Sequence, residues 1–166
     1  MHVKGRYNVI DVCRHIINYS NDHAIYIDNL KLQKLLYFSQ ANYLFVTEGN
    51  IPCFNEPIIA WQYGPVVLEA YQEFQVYGSA MIPNITTVTE FDRAAMKFIR
   101  RPVVDSIAYR EQDASLLQDT VDYFKDFSGV QLVNITHKQQ PWLDAYQNGI
   151  NSVIENQAIY DYFRAG

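Results

Sequence analysis

The stretch that decides the fold is residues 28–47, which read D-N-L-K-L-Q-K-L-L-Y-F-S-Q-A-N-Y-L-F-V-T. Asp28 is a good N-cap residue because its carboxylate accepts hydrogen bonds from free backbone N–H groups of the first turn. Gly49 lies just beyond the other end as a stop signal. Apolar side chains cover nearly every face of the predicted helix, which is typical of a helix buried on several sides. We therefore expect it to be the central element of the core.

On the N-terminal side, residues 8–19 carry apolar side chains at positions i, i+4, i+7 and i+8. This spacing places one apolar stripe along a helix. The sequence therefore predicts a short amphipathic helix over residues 8–19. The residues of the stripe are Val9, Cys13, Ile16 and Ile17.

On the C-terminal side, residues 51–63 change in pattern, because Pro52 and Pro57 do not fit a helix interior. Isoleucine and aromatic residues follow, and these side chains favour a strand. The dipeptide Gly64-Pro65 then marks a turn, and proline suits the first position of a helix. We expect a short strand within residues 51–63 and a helix that begins at Pro65 and ends near residue 78.

The remaining pattern is mostly helical. Residues 79–89 contain several threonines and a proline, which predicts a loop. Residues 1–166 are thus expected to form a compact single domain of mainly α class, built around the buried central helix with a short β-ribbon between the second and third helices. The further helices are predicted over residues 90–101, 114–127, 129–137, 141–147 and 157–164.

The composition excludes several classes of protein. The 166 residues are 49% apolar and 19% charged, which excludes a disordered chain and leaves enough length to bury a core. The formal net charge of -5 argues against a protein that neutralises many nucleic-acid phosphates. No apolar stretch approaches the length of a membrane span, and the first residues lack the apolar run of a signal peptide. The expected location is therefore the cytoplasm, away from membranes.

The residue pairs with catalytic potential lack the partners that catalysis needs. Cys13 and His15 lie close in sequence but point to different sides of a helix, and Cys53 is too distant in sequence to suggest a metal or disulfide framework. Glu69 and Glu73 share a helix face without any nearby metal-ligating companion. No nucleophile-elbow, phosphate-loop, dinucleotide or zinc-protease motif is present in the sequence. We expect buried, reduced cysteines and no catalytic residue, metal or cofactor.

Three motifs together resemble a known family. Residues 31–41 read K-L-Q-K-L-L-Y-F-S-Q-A, residues 56–67 read E-P-I-I-A-W-Q-Y-G-P-V-V, and residues 132–143 read L-V-N-I-T-H-K-Q-Q-P-W-L. The chain resembles the Panacea domain family over residues 8–163. This family includes the SocA-type antitoxin and the phage-associated GepA proteins.

The resemblance implies a protein-binding module. Many members of the family look like antitoxins that neutralise a toxin encoded by an adjacent gene. The SocA-type protein also delivers its toxin to a ClpXP-type protease. Some members carry an additional helix-turn-helix, which this sequence does not show, so direct DNA binding is not expected. Two alternatives remain, a phage or prophage accessory protein that binds a host factor and a small hydrolase or nuclease. The family-motif positions, which are also the candidate partner-binding residues, are Lys34, Tyr37, Trp61, Tyr63, Gly64, Pro65, Tyr71, His137, Pro141 and Trp142.

Two of these regions also have a purely structural interpretation. Trp61 and Tyr63 have the amphipathic side chains that anchor interfaces, but strand alternation favours packing on the central helix. Gly64 and Pro65 are expected to form a turn followed by a helix start. His137 has no local catalytic partner and is expected at the C-terminus of a helix, where a cation is favourable.

Overall fold

A computed structural model describes residues 4–166 of the chain. Within these residues helices predominate, which confirms the mainly α class. Two separate two-stranded antiparallel sheets complete the regular structure. The elements are α1 (Val9–Asp22), α2 (Asn29–Val46), β1 (Ile58–Trp61), β2 (Gly64–Val67), α3 (Leu68–Phe74), a 3-10 turn (Gln75–Tyr77), β3 (Thr87–Asp92), β4 (Lys97–Pro102), α4 (Glu111–Tyr123), α5 (Gly129–Thr136), α6 (Gln140–Gln147) and α7 (Asn156–Ala165).

Both end signals of α2 act as the sequence predicts. The Asp28 carboxylate accepts a hydrogen bond of 2.8 Å from the backbone N–H of Lys31. At the other end Gly49, with a φ of 77°, donates its N–H to the carbonyl oxygen of Leu44 over 2.7 Å. Glu48, directly after the C-cap residue, is also left-handed, with a φ of 53°. The Gly49 bond satisfies a carbonyl that the last turn leaves free, which closes the helix.

Helix α2 is buried along most of its length. Helices α1, α3, α4, α5 and α7 and strand β2 all pack against it. Leu32, Leu35 and Leu36 are completely buried in the hydrophobic core that these elements share. Nearly every face of the helix therefore meets another element, and several polar side chains on α2 bond to groups inside the protein.

The β1–β2 hairpin forms the expected ribbon between α2 and α3. Its register pairs Ile58 with Val67 and Trp61 with Gly64. The expectation of a helix that begins at Pro65 is wrong, because residues 64–67 form β2 and α3 begins at Leu68. Val66 and Val67 are β-branched and favour a strand. Pairing with β1 also gives their backbone N–H and C=O groups partners, which the first turn of a helix leaves partly unpaired.

The predicted helix over residues 90–101 is also wrong, because this stretch lies in the β3–β4 hairpin. The alanines and methionine at its centre favour a helix, but they occupy the turn between the strands. There the Asp92 carboxylate accepts hydrogen bonds from the N–H groups of Ala94 and Ala95, and Met96 has a φ of 52°. The threonine, valine, isoleucine and phenylalanine residues on either side then pair as strands.

The other boundaries lie close to the expected ones. Helix α4 begins three residues earlier than expected, at Glu111, and the last residues of the expected loop 79–89 belong to β3.

Cys13 and Cys53 are buried and free, and burial raises the pKa of both thiols. Among residues 4–166 no helix combines the length and apolarity needed to cross a membrane.

We expect Leu36→Ala to lower the free energy of unfolding by about 2–5 kcal/mol, because it removes buried methyl groups and leaves a cavity. Urea denaturation measures this loss. Ile150→Ala, at a side chain that is 94% exposed, is the control and should change the stability by less than about 0.5 kcal/mol. Equal midpoints for wild type and Leu36→Ala would contradict the burial of this position.

Candidate functional site

A row of buried amide side chains on α2 positions the β1–β2 hairpin and α3. The Gln33 amide donates to the side-chain oxygen of Asn29 over 2.9 Å and accepts the backbone N–H of Val67 over 3.0 Å. The Asn29 amide in turn donates to the backbone carbonyl oxygen of Tyr71 over 3.1 Å. Because these groups are buried, each bond is costly to lose, and together they fix β2 and α3 against the N-terminal half of α2.

Lys34 is completely buried next to these amides. Its Nζ donates a hydrogen bond of 3.0 Å to the backbone carbonyl oxygen of Pro65. Burial lowers the pKa of Lys34 to about 7, because the apolar surroundings disfavour the charged form. The side chain therefore holds the first residues of β2 from the α2 side.

Gly64 lies where the chain turns into β2 and is tightly enclosed. Its φ is 94°, and a Cβ atom at this position would lie 2.7 Å from Lys34 Cε and 2.8 Å from Thr136 Oγ1. Both distances are shorter than a normal van der Waals contact. Only glycine fits this conformation and this space, so the close approach of α2, α5 and the hairpin depends on it.

The T-H-K-Q-Q-P-W motif also holds the tip of this hairpin. The Trp142 indole donates to the backbone carbonyl oxygen of Trp61 over 2.9 Å. His137 Nε2 lies 2.8 Å from the carbonyl oxygen of Gln62, so this nitrogen carries the proton of the bond. The imidazole also stacks on the Trp142 ring with 4.2 Å between ring centroids. His137 is the C-cap residue of α5, as expected, and Pro141 lies at the start of α6.

Tyr37 provides a further buried link between α2 and this motif. Its hydroxyl donates to the side-chain oxygen of Gln139 over 2.9 Å. Burial raises the pKa of the Tyr37 phenol, so the hydroxyl keeps its proton and remains a donor. This contact fixes the turn between α5 and α6 against the central helix.

A groove of about 760 Å³ lies between the N-terminal half of α2, the tip of the β1–β2 hairpin and α3. We call it the Trp61 groove. The Tyr63 side chain is 63% exposed at the hairpin tip. The Trp61 ring meets the Tyr71 ring edge-to-face, with centroids 5.2 Å apart, and its indole N–H donates to Asn151 over 2.7 Å. The groove therefore combines fixed aromatic surface with polar groups at its margin. Its lining includes Asp28, Leu30, Gln33, Lys34, Trp61, Tyr63, Tyr71 and Val130.

The structure brings the candidate residues to one region but divides them into two groups around the hairpin. Those that line the Trp61 groove are Lys34, Trp61, Tyr63 and Tyr71. Those that support the hairpin or its neighbouring turn are Tyr37, Gly64, Pro65, His137, Pro141 and Trp142. Contact of these residues with a partner stays a prediction.

The remaining polar candidates are separated from the groove. Cys13 is buried in the core, whereas His15 pairs through Nδ1 with Asp105 over 2.7 Å. Glu69 and Glu73 are exposed to solvent. Across residues 4–166, no group of three or more His, Cys, Asp and Glu side chains is arranged to hold a metal ion.

Sequence reasoning missed the buried amides that organise the site. Besides Asn29 and Gln33, Gln40 accepts the N–H of Cys53 over 2.7 Å and donates to the carbonyl oxygen of Phe54 over 3.0 Å. The signal was present, because amide residues recur at i, i+4 and i+11 in a helix whose other residues are mainly apolar. In such a helix a regularly spaced amide is expected to satisfy backbone groups of a neighbouring segment.

The family model described as antitoxin SocA-like, Panacea domain, matches residues 32–143 of the chain. The match extends from the first turn of α2 to Leu143 in α6 and so contains the hairpin, most of the groove lining and the T-H-K-Q-Q-P-W motif. No curated protein and no solved structure matches the chain.

We expect Gly64→Ala to lower the free energy of unfolding by about 1–3 kcal/mol more than Gly78→Ala does. Both glycines have a positive φ, but a Cβ on Gly78 meets nothing within 4 Å, whereas one on Gly64 collides with Lys34 and Thr136. Gly78 therefore serves as the control with a positive φ and free space around the added methyl group. Urea denaturation of the two variants measures the difference, and equal losses would contradict the tight enclosure of Gly64.

A second prediction concerns pH. The pKa of Lys34 is about 7 in the folded chain and near the ordinary 10.5 in the unfolded chain. Between these values the unfolded chain binds more protons, so this lysine makes the free energy of unfolding rise with pH. We expect Lys34→Met to remove that rise, in addition to a pH-independent loss from the unpaired Pro65 carbonyl.

The measurement is the difference in unfolding free energy between wild type and Lys34→Met, at pH values across this window. The difference is needed because burial raises the pKa of Tyr43 to about 12 and that of the cysteines as well, which lowers stability at alkaline pH in both proteins. Parallel pH profiles for the two proteins would contradict the lowered pKa of Lys34.

Proposed function

Because the chain belongs to the antitoxin SocA-like Panacea domain family, we propose that it neutralises a cognate toxin by direct, stoichiometric binding. The family match over residues 32–143 is the observation that carries the proposal. Family membership supports an antitoxin-type role and a protein partner. The direct contact, the surface used and the identity of the toxin are our proposal.

We place the toxin contact at the Trp61 groove. Its volume of about 760 Å³ is sufficient for several side chains of a partner segment. Tyrosine and tryptophan supply large contact areas at a low entropic cost, and they are enriched among residues that dominate binding energy. The hydrogen bonds to the carbonyl oxygens of Trp61, Gln62 and Pro65 keep the hairpin in place before binding. A preformed surface loses less conformational freedom on association.

Charge favours a basic toxin. The chain carries a formal net charge of -5, and Asp28 lies in the groove lining. Opposite net charges raise the association rate through electrostatic steering, an effect that salt screens. Raised salt should therefore slow complex formation more than it accelerates dissociation.

The proposed mechanism is occlusion of the toxin's functional surface, with no chemical step performed by this chain. Inhibition then requires one copy of the chain for each toxin molecule. Delivery of the bound toxin to a ClpXP-type protease extends the same mechanism, because a complex that the protease recognises exposes the toxin to degradation. A degradation assay with purified protease, toxin and this chain tests that extension, which fails if the toxin's half-life is the same with and without the chain.

We expect Tyr63→Ala to weaken the complex with the toxin of the adjacent gene by about 2 kcal/mol, or roughly 30-fold. Tyr63 is exposed at the hairpin tip, so the variant should remain folded. Tyr109→Ala is the matched control, because Tyr109 is 82% exposed and lies outside the groove. Calorimetric titration measures both affinities, and equal affinities would exclude the Trp61 groove as the contact.

Co-expression in graded amounts tests neutralisation itself. We expect growth to recover in proportion to the amount of this chain, with full recovery near one copy per toxin molecule. Recovery with a trace amount would contradict stoichiometric binding and favour the hydrolase or nuclease alternative. Failure to bind the neighbouring product at micromolar concentration, together with capture of a host protein, would instead favour the phage or prophage accessory role.

A further inference from the structure

The β3–β4 hairpin carries an exposed apolar and basic face that the core does not use. None of the strand residues is buried. Residues directly opposite each other in an antiparallel pair project to the same side, so the register places Phe91 with Phe98 and Thr89 with Arg100 on one face. The two phenylalanine rings meet edge-to-face at 5.2 Å, and the Phe98 side chain is 75% exposed. We call this the hairpin face; it consists of Thr87, Thr89, Phe91, Phe98, Arg100 and Pro102.

The hairpin differs in charge from the rest of the protein. The hairpin face contains Arg100 and no acidic residue, while Arg93 and Lys97 lie at or beside the turn. The chain as a whole nevertheless carries a formal net charge of -5. A partner for this face therefore needs both apolar surface and carboxylates. A basic toxin of the kind proposed above does not meet that requirement.

A surface with these properties is present on the same protein. A second groove, of about 400 Å³, lies between α2, α4 and α7, and we call it the Phe45 groove. Phe45 and Tyr123 in its lining are 54% and 75% exposed, and Asp119 lies beside them. Helix α4 contains no lysine or arginine, and its acidic residues are Glu111, Asp113, Asp119 and Asp122.

Charge also decides between two ways in which copies of the chain can meet. If two hairpin faces stacked on each other, each Arg100 would approach basic groups of the other copy, which is repulsive. If the hairpin face met the Phe45 groove, its phenylalanines would cover exposed aromatic rings and Arg100 would approach Asp119. Apolar burial and electrostatic attraction then act together, as they do at specific interfaces.

We infer that the chain self-associates, with the β3–β4 hairpin of one copy docked in the Phe45 groove of a second copy. The contact is heterologous, so a pair of chains exchanges hairpins or successive chains form a larger assembly. It leaves the Trp61 groove outside the contact, because the two grooves share no lining residue.

Sedimentation velocity of the purified chain over a range of micromolar concentrations tests the inference. We expect concentration-dependent association that weakens as salt is raised. Phe98→Ser should weaken it at least about tenfold, whereas Ile150→Ser, at another exposed apolar position, should not. A wild-type chain that stays monomeric throughout, or a Phe98→Ser variant that associates like wild type, would overturn the inference.

A second experiment exchanges the charges of the two residues that the proposed contact brings together. Arg100→Glu and Asp119→Arg should each weaken association alone, and an equimolar mixture of the two should restore it, because the altered hairpin then meets an oppositely charged groove. Lys138→Glu makes the same charge change at an exposed position outside both surfaces and is the control. Circular dichroism verifies that each variant is folded. If the mixture did not restore association, or if Lys138→Glu weakened association equally, the proposed contact would be overturned. It would also be overturned if the chain were monomeric and its hairpin variants lost binding to the toxin or to nucleic acid.

Discussion

The hydrogen bond from buried Lys34 Nζ to the Pro65 carbonyl oxygen is the contact on which the site depends. An ammonium or amine group inside an apolar core is tolerated only with a polar partner, and here the partner is backbone rather than another side chain. The bond therefore fixes the path of the main chain where it enters β2. Gly64 permits this approach because any larger residue would collide with the lysine stem. Helix α2, the hairpin and α5 meet closely at this short segment.

This arrangement gives one helix two roles that usually fall to different elements. The leucines of α2 belong to the core, while Asn29, Gln33 and Gln40 satisfy backbone groups of the neighbouring segments. In a larger sheet, neighbouring strands would satisfy those groups. In the β1–β2 hairpin, residues 152–154 bond to the outer edge of β1, whereas the Gln33 amide accepts the Val67 N–H of β2. The helix is consequently rich in buried polar atoms and still a core element.

The sequence predicts elements well where local signals and tertiary packing agree. Asp28 and Gly49 bracket α2 because capping chemistry is local, and the motif around Pro141 marks the start of α6 for the same reason. Prediction fails where a distant pairing overrides local preference, as in residues 90–101, whose helix-forming centre becomes a turn. For the site, the family motifs locate the residues but not their roles. Which of them line the groove and which support the hairpin depends on contacts across about a hundred residues, such as Tyr37 with Gln139.

Three side chains hold the hairpin tip through its backbone. Lys34, His137 and Trp142 bond to the carbonyl oxygens of Pro65, Gln62 and Trp61, and a carbonyl oxygen is the same whatever side chain follows it. The exposed side chains at positions 62 and 63 can therefore be exchanged at little cost to folding. Stability and the proposed toxin contact then draw on different atoms of the same residues. A single substitution at the tip would therefore alter the proposed contact without first requiring a reserve of stability.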